Sequence, residues 1–167
     1  MAEPLTAGAT LVAFLDDEIP AERARKNSLE VRALSVISSA GTLVTLLFGL
    51  SAVITRVTSF RPSLPTLVLL SVAATLFVIS AILAIYCNMP GHYFEVDPMS
   101  LVNLTKEAMW TSKGSGADRE VALARLEVLN DWKQVNQRKA RVLATAALTE
   151  VLAVATTAAA VFFTLLG

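Results

Sequence analysis

One acidic residue interrupts the last apolar stretch of the chain. Glu150 lies eight residues into the segment 142–166, which places it about 12 Å along a helix at ~1.5 Å per residue. A carboxylate at that depth of a membrane costs about 3 kcal/mol on insertion scales, and the Val, Leu and Phe residues of the segment offset that cost. Because Ala146, Ala153 and Thr157 share its helical face, we expect the carboxylate to face protein or water rather than lipid.

The chemistry of Glu150 allows three roles. In an oligomer it could form a ring that lines a pore, and in a single chain it could be a proton-binding site. The structural alternative is a protonated carboxyl group hydrogen-bonded to a Ser or Thr of another membrane helix. The residue types alone leave all three open.

Other combinations of reactive residues do not form a recognisable site. The chain has one His and one Cys, so no nucleophile–base pair of the usual kinds can be assembled. Cys87, His92, Glu95 and Asp97 are close in sequence, but their spacing matches no zinc pattern. The KGSG run at 113–116 lacks the strand and the GxxxxGK[ST] frame of a phosphate loop and is typical of a linker. We therefore expect no enzymatic activity, no bound metal and no cofactor.

The apolar residues are concentrated in three segments of membrane-spanning length. Hydrophobic residues make up 54% of the chain, charged residues 17%, and the mean hydropathy is +0.60. The segments are 33–54, 64–86 and 142–166, and the first two contain no charged residue. This pattern predicts an all-α membrane protein of three transmembrane helices, forming one domain over 1–167, with a helical cytoplasmic insert at 87–141 between the second and third helices.

The basic residues predict the orientation in the membrane. Of the 14 Lys and Arg residues, two lie in the turn between the first two spans, and the other twelve precede the first span or lie in the insert. Cytoplasmic loops carry the excess of basic residues, so we expect the N-terminus and the insert to be cytoplasmic and the C-terminus to be outside. The formal net charge is zero, which does not favour a nucleic-acid partner.

The regions outside the spans are also predicted to be helical. The apolar residues of 5–19 share one face, so this segment is expected to pack on its own protein or on the bilayer surface, and Pro20 is expected to end it and to begin a new helix. In the insert, Asp97 and Pro98 start a helix that runs to about Trp110. A flexible break follows, and Asp118 then caps a helix that continues without Pro or Gly into the third span.

Two stripes predict helix packing. Small residues follow one face of the first span, which suits close helix contact in lipid either within the chain or between copies; they are Ser38, Gly41, Thr45, Gly49 and Ala52. The cytoplasmic part of the last helix carries an apolar stripe formed by Val121, Val128, Trp132 and Val135. Its expected partner is the 100–110 helix or the same stripe of a neighbouring copy, and both stripes favour a homo-oligomer.

The entries to the first and last spans show a further pattern. The first is entered through an acidic-x-basic-Ala run with Glu30, Arg32 and Ala33, followed by small residues at 38–41, and the last through Lys139 and Ala140. Together with the order of the spans, over nearly the whole chain, this pattern resembles the transmembrane effectors of Pycsar antiphage systems.

The resemblance implies a function. It implies a protein of the bacterial inner membrane that impairs membrane integrity when a partner cyclase makes a cyclic pyrimidine nucleotide during phage infection. A nucleotide needs a cation for its phosphate and commonly an aromatic ring for its base, and Trp110, Lys113 and Arg119 are the candidates for these contacts. The competing hypothesis is a small accessory or scaffold subunit of a bacterial membrane complex, for which the same packing stripes would serve.

Overall fold

The computed structural model describes residues 7–56, 63–91 and 115–166, and these form three helices. They are α1 (Ala7–Arg56), α2 (Leu64–Asn88) and α3 (Ser115–Leu166). Each is long and apolar enough to cross a membrane, as the three apolar segments predict. The predicted helix 97–110, together with Trp110 and Lys113, lies outside the described residues.

The prediction that Pro20 separates two helices is wrong, because α1 continues through it. A proline inside a helix removes the hydrogen bond to the carbonyl four residues earlier and costs roughly 3 kcal/mol. Contacts with α3 on both sides of Pro20 offset that cost: Asp16 pairs with Arg125, and Glu22 accepts a hydrogen bond from Asn136. The helix is therefore maintained by tertiary contacts that the local sequence does not show.

The boundaries of the other helices are close to those predicted. α2 begins at Leu64, and Pro65 lies in its first turn. Proline fits there because a residue of the first turn has no backbone N–H bond to make within the helix. α3 is a single helix, as its lack of internal Pro predicts, but it starts at Ser115. Asp118 therefore lies in the first turn, where its charge favours the positive end of the helix dipole, rather than at the cap position.

The chain divides into two compact units. Unit 1 comprises Met1–Asn27 and Pro90–Arg138, and unit 2 comprises Ser28–Met89 and Lys139–Gly167. In unit 1, the described parts of α1 and α3 run parallel, since the residues paired along them rise in number together. Their apolar core consists of Leu15, Ala122 and Leu129, with Val12 and Ile19 packed against it. The first 20 residues of α1 thus pack on their own protein.

Unit 2 has its small residues inside and its large apolar residues outside. On α3, Ala146, Ala153 and Ala160 are fully buried at seven-residue spacing. Side chains such as Phe48, Ile82 and Phe162 are 59–67% exposed. That distribution suits a lipid solvent, where close packing of small residues rather than hydrophobic burial joins the helices. The chain is therefore a multi-pass membrane protein.

The seven-residue spacing of buried positions recurs on all three helices. α1 buries Ala33 and Ala40, and α2 buries Thr66, Ala73, Ser80 and Cys87. A strict seven-residue repeat keeps one face of each helix toward its neighbours and is typical of left-handed coiled-coil packing. The Ala, Ser and Cys side chains on these faces let the helix backbones approach closely.

Candidate intramembrane site

The carboxyl group of Glu150 contacts α1 within unit 2. Its Oε1 lies 2.5 Å from Oγ of Ser39, and the Glu150 side chain is half-buried. On the same helix, Ala146 and Ala153 are fully buried on either side of it. The carboxyl group thus faces protein, as expected from the sequence, and its partner is the serine hydroxyl of the first span that the structural alternative requires.

The Ser39 hydroxyl has more acceptors than it has protons. Its Oγ lies 3.0 Å from the carbonyl of Ser35 and 3.1 Å from the carbonyl of Val36, in addition to the Glu150 carboxyl. A hydroxyl group donates one hydrogen bond and accepts two. If Glu150 is protonated, it can donate to Ser39 Oγ while Ser39 donates to a backbone carbonyl, and every group is then satisfied. If Glu150 is ionised, Ser39 must donate to it. The contact between the two side chains is therefore possible with either one as the donor.

A second hydroxyl joins α2 to α3 near this pair. Ser80 is fully buried and donates its hydroxyl proton to the carbonyl of Ala146 over 2.8 Å. Ala146 precedes Glu150 by one helical turn. The backbone of α3 is therefore held by α2 immediately before the point at which its carboxyl group meets α1.

The predicted small-residue stripe lies on the outer surface of α1. Gly41, Thr45 and Gly49 are exposed, and a methyl group added at either glycine would meet nothing within 4 Å. The buried residues of α1 in unit 2 are instead Leu29, Ala33 and Ala40. None of the described stripe glycines packs closely within unit 2, and contact with another copy stays a prediction.

Trp132 packs within unit 1 against α1. Of the partners predicted for its stripe, the 100–110 helix lies outside the described residues, and contact with another copy stays a prediction. Its ring lies 5.4 Å from the guanidinium carbon of Arg23, a cation–π distance. The buried positions of α3 are displaced by one residue from the predicted stripe, at Ala122, Leu129 and Asn136. Asn136 donates to both the backbone carbonyl of Glu22, at 3.0 Å, and its carboxylate, at 2.8 Å.

A groove of about 760 Å³ lies in unit 1 between the first turns of α1 and α3. Its walls are small and apolar residues, including Gly8, Val12 and Ala122, and its rim carries Asp16, Asp118, Arg119 and Arg125. Arg125 is held by Asp16 at 2.6 Å. Arg119 is exposed and, within the described part of the chain, forms no ion pair. Of the three nucleotide-binding candidates, Arg119 is the one that lies among the described residues. It lies at the edge of a groove of ligand size.

Several residues that join the helices were missed in the sequence. Among them are Ser39, Ser80 and Asn136, and also Lys139, which the sequence marked only as part of a span entry. The available signal was the repetition of small or polar residues every seven positions, as in Ala73–Ser80–Cys87 and Lys139–Ala146–Ala153.

The described residues contain no group of three or more His, Cys, Asp or Glu side chains that could hold a metal ion. The candidate ligands His92, Glu95 and Asp97 lie outside the described residues. No protein-family model, curated protein or solved structure matches the chain.

Proposed function

We propose that this chain is a membrane effector of a bacterial antiphage system that acts by abortive infection. In this proposal it impairs inner-membrane integrity in response to a cyclic pyrimidine nucleotide made by a partner cyclase. The contact between Glu150 and Ser39 carries the effector part of the proposal. A carboxyl group inside a membrane costs about 3 kcal/mol on insertion scales and commonly marks an ion or proton pathway. The nucleotide and the cyclase are those that the resemblance of the span entries implies.

The proposed orientation has the N-terminus and the 87–141 segment in the cytoplasm. Twelve of the 14 basic residues then lie on the cytoplasmic side. The exposed Arg32 and Arg141, near the entries to the first and third spans, would meet the anionic surface of the inner leaflet. Unit 1 would be accessible to a ligand made in the cytoplasm.

In the resting state the Glu150 carboxyl group is hydrogen-bonded to Ser39, which keeps it away from the lipid. Activation separates this pair and brings the Glu150 face toward an axis between copies of the chain, where water can enter and ions can leak. A ligand drives this change only if it binds the activated arrangement more tightly than the resting one.

The groove beside Arg119 is the proposed ligand site. Its volume of about 760 Å³ lies in the range of small-molecule pockets, which are commonly ~300–1,000 Å³. The exposed guanidinium group of Arg119 offers the bidentate donors that a phosphate requires, and the first turn of α3 adds backbone N–H groups at the positive end of the helix dipole.

Substitution of Glu150 tests the effector activity. Glu150→Gln keeps the size and hydrogen bonding of the side chain but cannot ionise, and Glu150→Leu removes both properties. We expect both variants to insert normally and to lose depolarisation when they are expressed with the partner cyclase during infection. Thr145→Val is the matched control, because Thr145 is an exposed residue of the same helix whose hydroxyl donates to the Arg141 carbonyl of its own helix. Full depolarisation by both Glu150 variants would contradict the proposal and favour the accessory-subunit hypothesis.

Substitution of Arg119 tests the ligand site separately. Arg119→Glu should weaken binding of a cyclic pyrimidine nucleotide to the purified protein about tenfold or more, since it reverses a charge beside the phosphate. Arg138→Glu is the control, because Arg138 is also an exposed arginine of α3 in unit 1 but does not line the groove. Equal affinities of the parent and Arg119→Glu would exclude this groove as the site.

A further inference from the structure

A lysine occupies a packing position on the face of α3 that is otherwise lined by alanine. Lys139 precedes Ala146, Ala153 and Ala160 at seven-residue spacing; the three alanines are fully buried, and Lys139 itself is only 8% exposed. A buried ammonium group is costly unless opposite charges and hydrogen-bond acceptors surround it. The position therefore requires specific partners from the neighbouring helices.

Both neighbouring helices of unit 2 provide those partners. The Nζ of Lys139 lies 3.4 Å from Oε1 of Glu30 on α1, and it donates a hydrogen bond to the carbonyl of Met89 over 3.1 Å. Met89 is the residue that directly follows α2, where helix carbonyls carry partial negative charge. One ammonium group thus links α3 to α1 and to the end of α2.

The backbone of Lys139 is held in the same place. The thiol of Cys87, which is fully buried, donates to the carbonyl of Lys139 over 3.5 Å. Leu29, Ala33 and Leu143 form an apolar cluster with Cys87. We refer to Glu30, Cys87, Met89 and Lys139 as the Lys139 junction.

We propose that the Lys139 junction is a latch that holds α3 against α1 and α2 in the resting protein, and that the latch opens when the protein is activated. Apolar surface alone does not hold helices together in lipid, because the lipid tails are as apolar as the side chains. An ion pair at a helix junction supplies the missing preference for one arrangement.

The exposure of the two charged groups explains how the latch can have two discrete states. The Glu30 side chain is 28% exposed and the Lys139 side chain 9%, so Glu30 can be solvated in place whereas Lys139 cannot. Once separated from Glu30, the ammonium group reaches water only if α3 turns and the side chain extends toward the membrane surface. The closed junction and the turned helix are then two separate arrangements rather than a continuous range. The membrane leak that follows opening rests on the function proposed above.

The chain contains its own reporter for this opening. Cys87 is the single cysteine of the sequence and is buried in the junction. The experiment measures the rate at which a membrane-permeant maleimide labels the full-length protein in membranes. Lys139→Met and Glu30→Gln should each increase the labelling rate by about tenfold or more, because the first removes the ammonium group that links α3 to α1 and to the end of α2, and the second removes the carboxylate that faces a buried ammonium group. Lys139→Arg retains the cation and its donors and should label at the parent rate.

The matched control breaks an ion pair of α3 outside the junction. Lys133 lies 2.7 Å from Glu18 in unit 1, and both side chains are at least one-third exposed. An exposed pair contributes little to stability, so Lys133→Met should leave Cys87 as protected as in the parent. An increase equal to that of Lys139→Met would indicate general loosening and would overturn the latch.

The remaining outcomes are also decisive. Rates are compared only for variants that elute like the parent in mild detergent, and if Lys139→Met aggregates, the isosteric Glu30→Gln decides. Parent-like protection of Cys87 in that variant would overturn the proposal. Faster labelling in Glu30→Gln should be accompanied by a fall in membrane potential in cells without any cyclase. Faster labelling with an unchanged potential would support the latch and contradict the proposed effector function.

Discussion

Ser80 and Ala146 join α2 to α3 through a hydrogen bond of 2.8 Å between a side-chain hydroxyl and a backbone carbonyl, and both residues are fully buried. A bond of this kind requires the two backbones to approach closely, because the serine side chain is short. Only a small residue at each position permits that approach. The contact therefore shows that α2 and α3 are close together at this point, and the remaining packing of unit 2 depends on that short distance.

This contact predicts how substitutions at Ser80 will act. Ser80→Leu should force α2 and α3 apart and lower the unfolding temperature in detergent markedly, since overpacking commonly costs about 1–3 kcal/mol. Ser80→Ala keeps the space and loses only the hydrogen bond, at about 0.6 kcal/mol. Ser71→Leu is the control, because Ser71 is exposed on the same helix and its hydroxyl donates to the carbonyl of Leu67, one turn earlier in α2. Equal unfolding temperatures for Ser80→Leu and Ser71→Leu would contradict the close contact.

Two adjacent residues of α1 separate folding from self-association. Ala40 is 1% exposed and packs with Phe77 and Ala153, whereas Gly41 faces open space. Ala40→Leu should destabilise the single chain by about 1–3 kcal/mol. Gly41→Leu should leave the unfolding temperature of the chain nearly unchanged and should reduce oligomer size in mild detergent, because a larger side chain prevents close approach of another copy. Elution of Gly41→Leu at the parent position would show that the stripe is not an oligomer interface.

The pair formed by Glu22 and Asn136 predicts a strong energetic coupling in unit 1. The Glu22 residue is 6% exposed and Asn136 is fully buried, with 2.8 Å between the carboxylate and the amide nitrogen. Replacing either one by Leu leaves the other buried without that partner, at roughly 1–3 kcal/mol. The double variant, in which both residues are Leu, should cost less than the sum of the two single variants. Thermal unfolding of all four proteins measures the coupling, and simple additivity would contradict it.

The orientation can be tested with reporter fusions. A fusion at Gly167 and a fusion within 113–116 should report opposite sides of the membrane, since a single span separates them. The basic residues predict that the second fusion is cytoplasmic. Detection of both fusions on the same side would contradict the three-span topology, and a full exchange of sides would contradict only the predicted orientation.

Much of the helix pattern follows from local properties of the chain. Apolar segments of spanning length predict the membrane parts of α1, α2 and α3, because a helix satisfies its own backbone in lipid. The absence of Pro from 118–166 predicts a continuous α3. The position of Glu150 among small residues predicts that it faces protein or water rather than lipid. Each of these conclusions depends on neighbouring residues of one helix.

The pairing of the helices could be read only from the tertiary structure. Helix propensity at Pro20 favours a break, and contacts with residues more than a hundred positions away in the sequence override it. Gly41 was part of the expected packing surface, yet Ala40, one position away, is the residue that packs in unit 2. Adjacent residues on a helix face different directions, and composition does not say which face meets a neighbour. Periodicity within one helix identifies a face. The choice of Ser39 as the partner of Glu150, and of Glu30 and Met89 as the partners of Lys139, depends on the relative register of separate helices, which only the assembled structure defines.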